Sequence, residues 1–395
     1  MLALATLAML AAPAAPARAQ VQAAVARDSA AAVDTAALRG RLQAKLDSVH
    51  AAGRFPGATF GVALPDGRSL GFAVGQADTV LDTPMRPDSR MLAGSVGKTF
   101  FAALALQLVD EGRLPLDARI STWLGEEEWF ARLPNARDIT VRHLMTHTSG
   151  LVRYEFDGAV TRKLTAEPDH VWTPEERVSY ILGTDPPFAA GAGWDYSDTN
   201  YIVLGMILEQ ITGQPLYPQI ARRVIQPVGL RNTVPSDRRE IPGVVQGYAG
   251  ANNPFGGRDV MLEDGRMIVN PQMEWAGGGY ASTAQDLAGW AKALYEAKVF
   301  SAATLALATT GVSARGLGRD ARYGLGVIIV PTPIGTSWGH SGFFPGWLTE
   351  VRYFPDHDFA VALQFNTSVG RSIGRSPAAV LQELAQIVAN AIAGA

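Results

Sequence analysis

The chain has 395 residues, of which 47% are hydrophobic and 18% charged, and a formal net charge of −3. That length and balance suit one large or two interleaved globular domains with a sizeable core, and without a basic block or Lys/Arg-rich helix they argue against electrostatic binding of nucleic acid. Cysteine is absent, which excludes disulfides, a thiol nucleophile, Cys-based zinc sites and a lipidated cysteine anchor.

The first stretch, MLALATLAMLAAPAAPARAQ, is apolar and then rich in Ala and Pro. Residues 1–19 are expected to form a signal peptide: the apolar run before Pro13 is too short to span a bilayer, and Ala17-Arg18-Ala19 makes a small-x-small cleavage site before Gln20. A basic n-region is missing, so a disordered tail is the competing reading. Export without disulfides fits a bacterial envelope setting, periplasmic or secreted. Residues 20–34 are Ala-rich, weakly patterned and expected to be a flexible N-terminal segment. Leu38, Leu42 and Leu46 then line one face of a predicted helix over 35–52. GATFGVALPDGRSLGFAVG offers two strand-like runs about Pro65-Asp66-Gly67, a hairpin signal because Pro presets φ and Gly accepts a positive φ.

From Ser95 to about residue 320 helical patterns dominate: TFFAALALQLVDEG, stopped at Gly112; NYIVLGMILEQITG, closed by Gly213; and STAQDLAGWAKALYEA, which opens on a Ser/Thr cap. After residue 320 come the β-branched or aromatic runs YGLGVIIV, WLTEVRYF and FAVALQF. The final predicted helix, 377–392, carries Val380, Leu384, Ile387, Val388, Ala391 and Ile392 at i, i+3, i+4 spacing. With strands at both ends, residues 35–94 and 320–395 are expected to share one α/β sheet domain, with a mostly helical domain, 95–319, inserted between them. The junction is the expected place for chemistry.

Three stretches carry residues suited to that chemistry. In MLAGSVGK, Ser95 and Lys98 share a face at the start of a helix. A serine there can attack a carbonyl while its own N–H holds the oxyanion, and a lysine serves as base if desolvation lowers its pKa. Taken alone, the spacing reads more simply as an N-cap serine with a surface lysine. Ala93-Gly94-Ser95-Val96-Gly97 brushes the G-x-S-x-G nucleophile elbow, but no good strand precedes it and Lys98 would have no role. In GWDYSDTNY, Tyr196 and Asp198 can both turn into one cleft, where the phenol relays a proton beside a cation. Packing of Tyr196 on Trp194 and an N-capping Asp198 are the alternatives. In WGHSGFFPGW, His340, Ser341 and Gly342 sit where a strand can line a substrate, and the Phe343 N–H is a candidate second oxyanion donor. His143 and His147 are four apart, as in a helical zinc site, but Leu144 stands where H-E-x-x-H needs Glu, so no metal site is expected.

Taken together, these stretches resemble the serine β-lactamase and penicillin-binding-protein superfamily, in the branch of class C β-lactamases, D-alanyl-D-alanine carboxypeptidases and related esterases. The pattern S-x-x-K, Y-x-N, K/H-x-G is met in order by Ser95…Lys98, Tyr196-Ser197-Asp198 and His340-Ser341-Gly342. ITVRHLMTHTSGL (139–151), AGGGYASTAQDLAGW and GHSGFFPGW…FPDHDFAVALQFN are also similar to that branch, so the resemblance covers about residues 35–390. It implies an antiparallel sheet built from both termini and flanked by helices, with an inserted all-α domain. It further implies a serine hydrolase in which Ser95 forms an acyl-enzyme, Lys98 and Tyr196 move protons, and the Ser95 and Phe343 N–H groups hold the oxyanion. Asp198, His340, Ser341 and Gly342 would support or bind the substrate. That substrate would be a small peptide, cell-wall peptide, ester or β-lactam, with no metal, cofactor or nucleic acid involved.

Two positions depart from the pattern. His340 replaces the Lys usual in class C β-lactamases and is expected to be only partly charged near neutral pH, which favours a carboxypeptidase-like or esterase-like enzyme. A class C-like β-lactamase and a non-catalytic binding module are the alternatives. Asp198 replaces Asn and cannot donate a hydrogen bond when ionised. At about 4 Å it would stabilise the Lys98 ammonium by roughly 4 kcal/mol at an effective dielectric of 20. Asp198 therefore points away, or Lys98 stays charged, or Asp198 is protonated.

Overall fold

The computed structural model describes residues 33–251, 253–256 and 258–395. The expected signal peptide and nearly all of the 20–34 segment lie outside the described residues. Asp34 caps the first helix, α1 (Thr35–Ala52), by accepting from the Ala36 and Ala37 N–H groups. Strands β1 (Gly57–Ala63) and β2 (Ser69–Asp78) follow as an antiparallel hairpin, with Phe60 opposite Phe72. A short β3 (Thr83–Pro84) pairs with the far end of β2.

The other strands of this sheet come from the last quarter of the chain: β4 (Val312–Ser313), β5 (Arg322–Tyr323), β6 (Ile328–Thr332), β7 (Gly335–Phe344), β8 (Trp347–Phe354) and β9 (Phe359–Phe365). The nine-stranded order is β3-β2-β1-β9-β8-β7-β6-β5-β4. The β1–β9 pair closes it, antiparallel and in register from Ala58–Phe365 to Ala63–Ala360. The sheet thus joins both ends of the chain, as the resemblance implied, and β4 extends it into a stretch expected to be helical.

Side chains alternate across the central strands. Phe60, Val62, Val361, Leu363 and Phe365 face α1 and the C-terminal helix, meeting Leu38, Leu42, Leu46, Val380, Leu384 and Val388. Ala63, Ala360 and Ala362 face the other way, against Ala284, Leu287, Ala288 and Ala291. Those four belong to a helix over Ala284–Tyr295, capped by Thr283, which covers this second face although it lies within 95–319.

In chain order the remaining long helices are α2 (Lys98–Asp110) and α3 (Thr199–Thr212), so the Ala284–Tyr295 helix is α4 and the C-terminal helix, Pro377–Ala393, is α5. Both α2 and α3 are buried on nearly every side, because their sequences are apolar all round. On α2, Phe100 stacks on Trp290 of α4 at 4.7 Å, and the Trp290 indole N–H donates to Thr99 Oγ1 at 2.7 Å. These contacts lock the start of α2 to the helix lining the sheet. No helix among the described residues is long and apolar enough to cross a membrane.

Leu384→Ala, in the fully buried stripe of α5, is expected to cost about 2–5 kcal/mol, measured by urea unfolding. Asn390→Ala, on the exposed face of the same helix, should stay within about 0.5 kcal/mol of wild type.

Candidate active site

Gly94–Gly97 form a single 3₁₀ turn, and α2 begins directly after it at Lys98. Ser95 therefore sits just before the helix. Gly94 has φ +52°, and its backbone packs so closely on β7 that a Cβ there would lie 2.6–2.8 Å from the Phe343 main chain. A Cβ on Gly342 would lie 2.0 Å from the Ala93 carbonyl. Two glycines thus let the serine turn and β7 touch through their backbones, which brings the Ser95 and Phe343 peptides side by side.

Lys98 is completely buried. Its Nζ donates to Ser95 Oγ at 2.9 Å, to Asp198 Oδ1 and to the Gly277 carbonyl. Three acceptors match the three N–H bonds of an ammonium, which has no acceptor of its own. Of the three states open for this pair, the geometry is that of a charged Lys98 facing an ionised Asp198. Burial opposes the lysine's charge, but the Asp198 carboxylate and the Tyr196 phenol outweigh it and hold its pKa above the ordinary value. Burial likewise opposes the Asp198 charge, and Lys98 with Arg153 overcomes it, keeping that carboxyl below the usual range.

Tyr196 and Asp198 arrive on the loop before α3. Asp198 occupies the N-cap position but makes no capping bond, because its carboxylate is turned to Lys98. The Tyr196 ring lies 5.0 Å from Lys98 Nζ. Its hydroxyl lies beside Lys98 and Ser95 and closes no well-directed hydrogen bond. Burial pushes its pKa up, against the pull of Lys98. His147, set aside above as half of a zinc-like pair, is fully buried with its ring 4.2 Å from that of Tyr196. Its Nδ1 accepts from the Ser197 N–H at 3.2 Å and from Asn200 Nδ2 at 3.1 Å, so Nε2 carries the proton. His143 closes a capping box with Thr140 instead. Among the described residues, no three His, Asp or Glu side chains gather as metal ligands.

The expectation for His340 needs correction. It is 1% exposed. Its Nδ1–H donates to the Ser341 carbonyl at 2.6 Å, and its Nε2 accepts from the Tyr323 hydroxyl at 2.9 Å. Burial, reinforced by the Lys98 charge, pushes its pKa down to about 3. The imidazole is therefore neutral near pH 7 rather than partly charged, and it lies behind Tyr196, at 6.0 Å between ring centroids. Ser341 Oγ donates to Glu350 at 2.8 Å and accepts from Arg352 at 3.1 Å, so its side chain is engaged by two residues of the neighbouring strand β8.

A cavity of about 410 Å³ opens over Ser95, lined also by Arg153, Glu155, Asp198, Glu274 and Phe343. Arg153 donates to Glu155 at 2.6 Å and lies 3.8 Å from Asp198. Burial and the neighbouring Asp198 raise Glu155 to about 8, and burial and Asp198 do the same for Glu274. Glu274 and the Gly277 carbonyl flank Trp275, a buried residue held at φ +38°. Such backbone costs on the order of 1–3 kcal/mol and persists where packing over-determines it. The sequence reading missed Arg153, Glu155, Glu274, His147 and Tyr323. Single charged residues carry no periodic signal, and the HTSGL stretch pointed only to the neighbourhood of His147.

A family model described as Beta-lactamase matches residues 22–385. The chain belongs to this family. Esterase EstB of Burkholderia gladioli is 35% identical over 207 residues, covering 51% of this chain and 52% of that protein. A D-aminopeptidase of Brucella anthropi is 27% identical over 320 residues, covering 80% of this chain and 57% of the relative. The chain thus spans little more than half the length of these curated relatives. Among solved structures, a D-stereospecific amidohydrolase from Streptomyces sp. superposes with a TM-score of 0.73 at 28% identity, covering 84% of this chain and 96% of the other.

Asp198→Asn should shift the acid limb of any Ser95-dependent pH–rate profile to lower pH by at least about one unit. Removing the carboxylate lowers the pKa of both Lys98 and Tyr196, so the deprotonated state is reached earlier. An unmoved limb would show that neither group loses a proton in the rate-limiting step.

Proposed function

We propose that the protein is a serine hydrolase that forms an acyl-enzyme on Ser95. The observation that carries this reading is the 2.9 Å contact from Lys98 Nζ to Ser95 Oγ inside the cavity. Ser95 Oγ attacks the substrate carbonyl carbon, and its proton passes to the Lys98–Tyr196 pair. The Ser95 and Phe343 N–H groups take the oxyanion of the tetrahedral intermediate. Collapse breaks the bond to the leaving group, which receives the proton, and water then releases the acyl group by the same steps in reverse. The apolar start and the Ala17-Arg18-Ala19 site support export, with Gln20 as the mature first residue.

Within this reading, esters and amides are favoured over β-lactams and over D-alanyl-D-alanine carboxypeptidase substrates. A terminal carboxylate needs a cation, yet His340 is neutral and Arg153 is already engaged by Glu155 and Asp198. The names of the relatives, esterase, D-aminopeptidase and amidohydrolase, agree with ester and amide substrates.

The test is a panel of a p-nitrophenyl ester, a D-Ala-D-Ala peptide and nitrocefin, with Ser95→Ala beside wild type. Ester turnover that falls at least about 10³-fold in Ser95→Ala is expected. Faster nitrocefin turnover would favour a β-lactamase, and failure of a fluorophosphonate to label Ser95 would favour a non-catalytic binding module. Asp198→Asn is expected to speed acylation of Ser95 by a penicillin-type probe, because it restores an N–H donor beside the nucleophile. An unchanged or slower rate counts against that role.

A further inference from the structure

The counter-ion of Lys98 is held against one short stretch of chain. Ser197 Oγ and Thr199 Oγ1, on either side of Asp198, both donate to the Val152 carbonyl, at 3.1 and 2.7 Å. The Tyr154 N–H donates back to Thr199 Oγ1 at 3.2 Å. Residues 152–155 are thereby laid beside Asp198, and the Glu155 carboxyl comes within hydrogen-bonding reach of the Asp198 carboxyl. The two oxygens of Glu155 differ. Oε1 accepts from Arg153 Nε at 2.6 Å, whereas Oε2 is buried and meets no donor. Asp198 is similarly divided: Oδ1 takes Lys98, and Oδ2 has Arg153 only at 3.8 Å, beyond hydrogen-bond length. Arg153 is kept there by its packing on the Phe156 ring, 4.1 Å from the centroid.

Two carboxyl groups that face each other with no donor between them repel unless one carries a proton. Resting on the reading of Ser95 as nucleophile, we propose that Glu155 is a positioning residue that keeps its proton, donates it in a hydrogen bond to Asp198, and so tempers the hold of Asp198 on Lys98. The arrangement fits a neutral acid, with one oxygen accepting from Arg153 and the other free to donate. Burial and Asp198 raise Glu155 to about 8, while Lys98 and Arg153 keep Asp198 low, so the proton belongs to Glu155. A carboxylate that accepts an O–H spreads its charge and is a weaker partner for an ammonium. Lys98 then takes part in moving the Ser95 proton at lower cost. Loss of the Glu155 proton does the reverse: two carboxylates face one ammonium, and Lys98 is held charged. Besides Asp198 and Arg153, the groups that act on this corner are Tyr154, whose hydroxyl is committed to the Met273 carbonyl at 2.6 Å, and Glu274, also raised to about 8.

Urea unfolding reads the proton itself. The stability that protonated Glu155 contributes is present at low pH and is lost as pH rises from the ordinary glutamate range to about 8. The unfolding constant of wild type should therefore rise at least about thirtyfold relative to that of Glu155→Gln between about pH 5 and pH 8. A constant ratio overturns the proposal. Fluorophosphonate labelling of Ser95 reads the coupling to Lys98. At about pH 7, Glu155→Gln, which keeps an N–H donor, should label at least about tenfold faster than Glu155→Leu. With Asp198→Asn added to both, the two should label alike, because Glu155 acts through Asp198. Between about pH 7 and pH 9, Glu155→Gln should gain at least about threefold on wild type, and the gain should persist with Glu274→Gln in both proteins. Equal labelling of Glu155→Gln and Glu155→Leu, a difference that survives Asp198→Asn, or a gain that vanishes with Glu274→Gln each overturns the role. If Ser95 of the wild type takes no label, the nucleophile reading fails, and the unfolding ratio still decides where the proton lies.

Discussion

A completely buried lysine must find three hydrogen-bond acceptors, and the site is organised around that demand. Lys98 finds them on three separate parts of the chain: the serine turn that begins its own helix, the loop before α3, and the strained turn at Trp275. None of these segments would be held in place by its own local structure. An ammonium in a low-dielectric setting is tolerated only when paired and fully hydrogen-bonded, so the fold must bring these three pieces to one point and keep them there. The packing does so. Phe100 and Thr99 tie α2 to Trp290, and α3 lies against the Trp275 turn, whose ring packs against Gly205.

The same pairing sets the chemistry. An ionised Asp198 makes Lys98 a better electrostatic partner and a poorer base, and it also raises the cost of a phenolate on Tyr196. One carboxylate, which touches Lys98, thus sets the protonation of the groups beside Ser95. Neutral His340 adds no positive charge near Ser95. With burial and Asp198 holding Glu155 and Glu274 near pKa 8, the charged groups around Ser95 near pH 7 are Lys98, Arg153 and Asp198.

Much of the architecture was legible along the chain. The helix over 35–52, the hairpin at Pro65-Asp66-Gly67, the long apolar helices and the C-terminal strands all stand where periodicity and turn residues placed them. Ser95 and Lys98 also meet as their spacing placed them, Nζ to Oγ at 2.9 Å, because both sit on continuous local structure. Other features were not legible. The short strand at Val312–Ser313 has too few residues for an alternation pattern. The role of α4 in covering the sheet is a matter of packing, and its sequence looks like that of any amphipathic helix.

What the sequence determined by itself was the family pattern and the reactive types: a serine three residues before a lysine, a tyrosine two before an aspartate, and a histidine on a strand. These are local facts, written in spacing. Only the tertiary structure decided their states. It turned Asp198 onto Lys98, sealed His340 behind Tyr196 as a neutral ring, moved His147 from a zinc-like pair to the tyrosine's side, and left Glu274 without a partner. Charge and protonation depend on burial and on neighbours far away in the chain, and no spacing along a sequence encodes either.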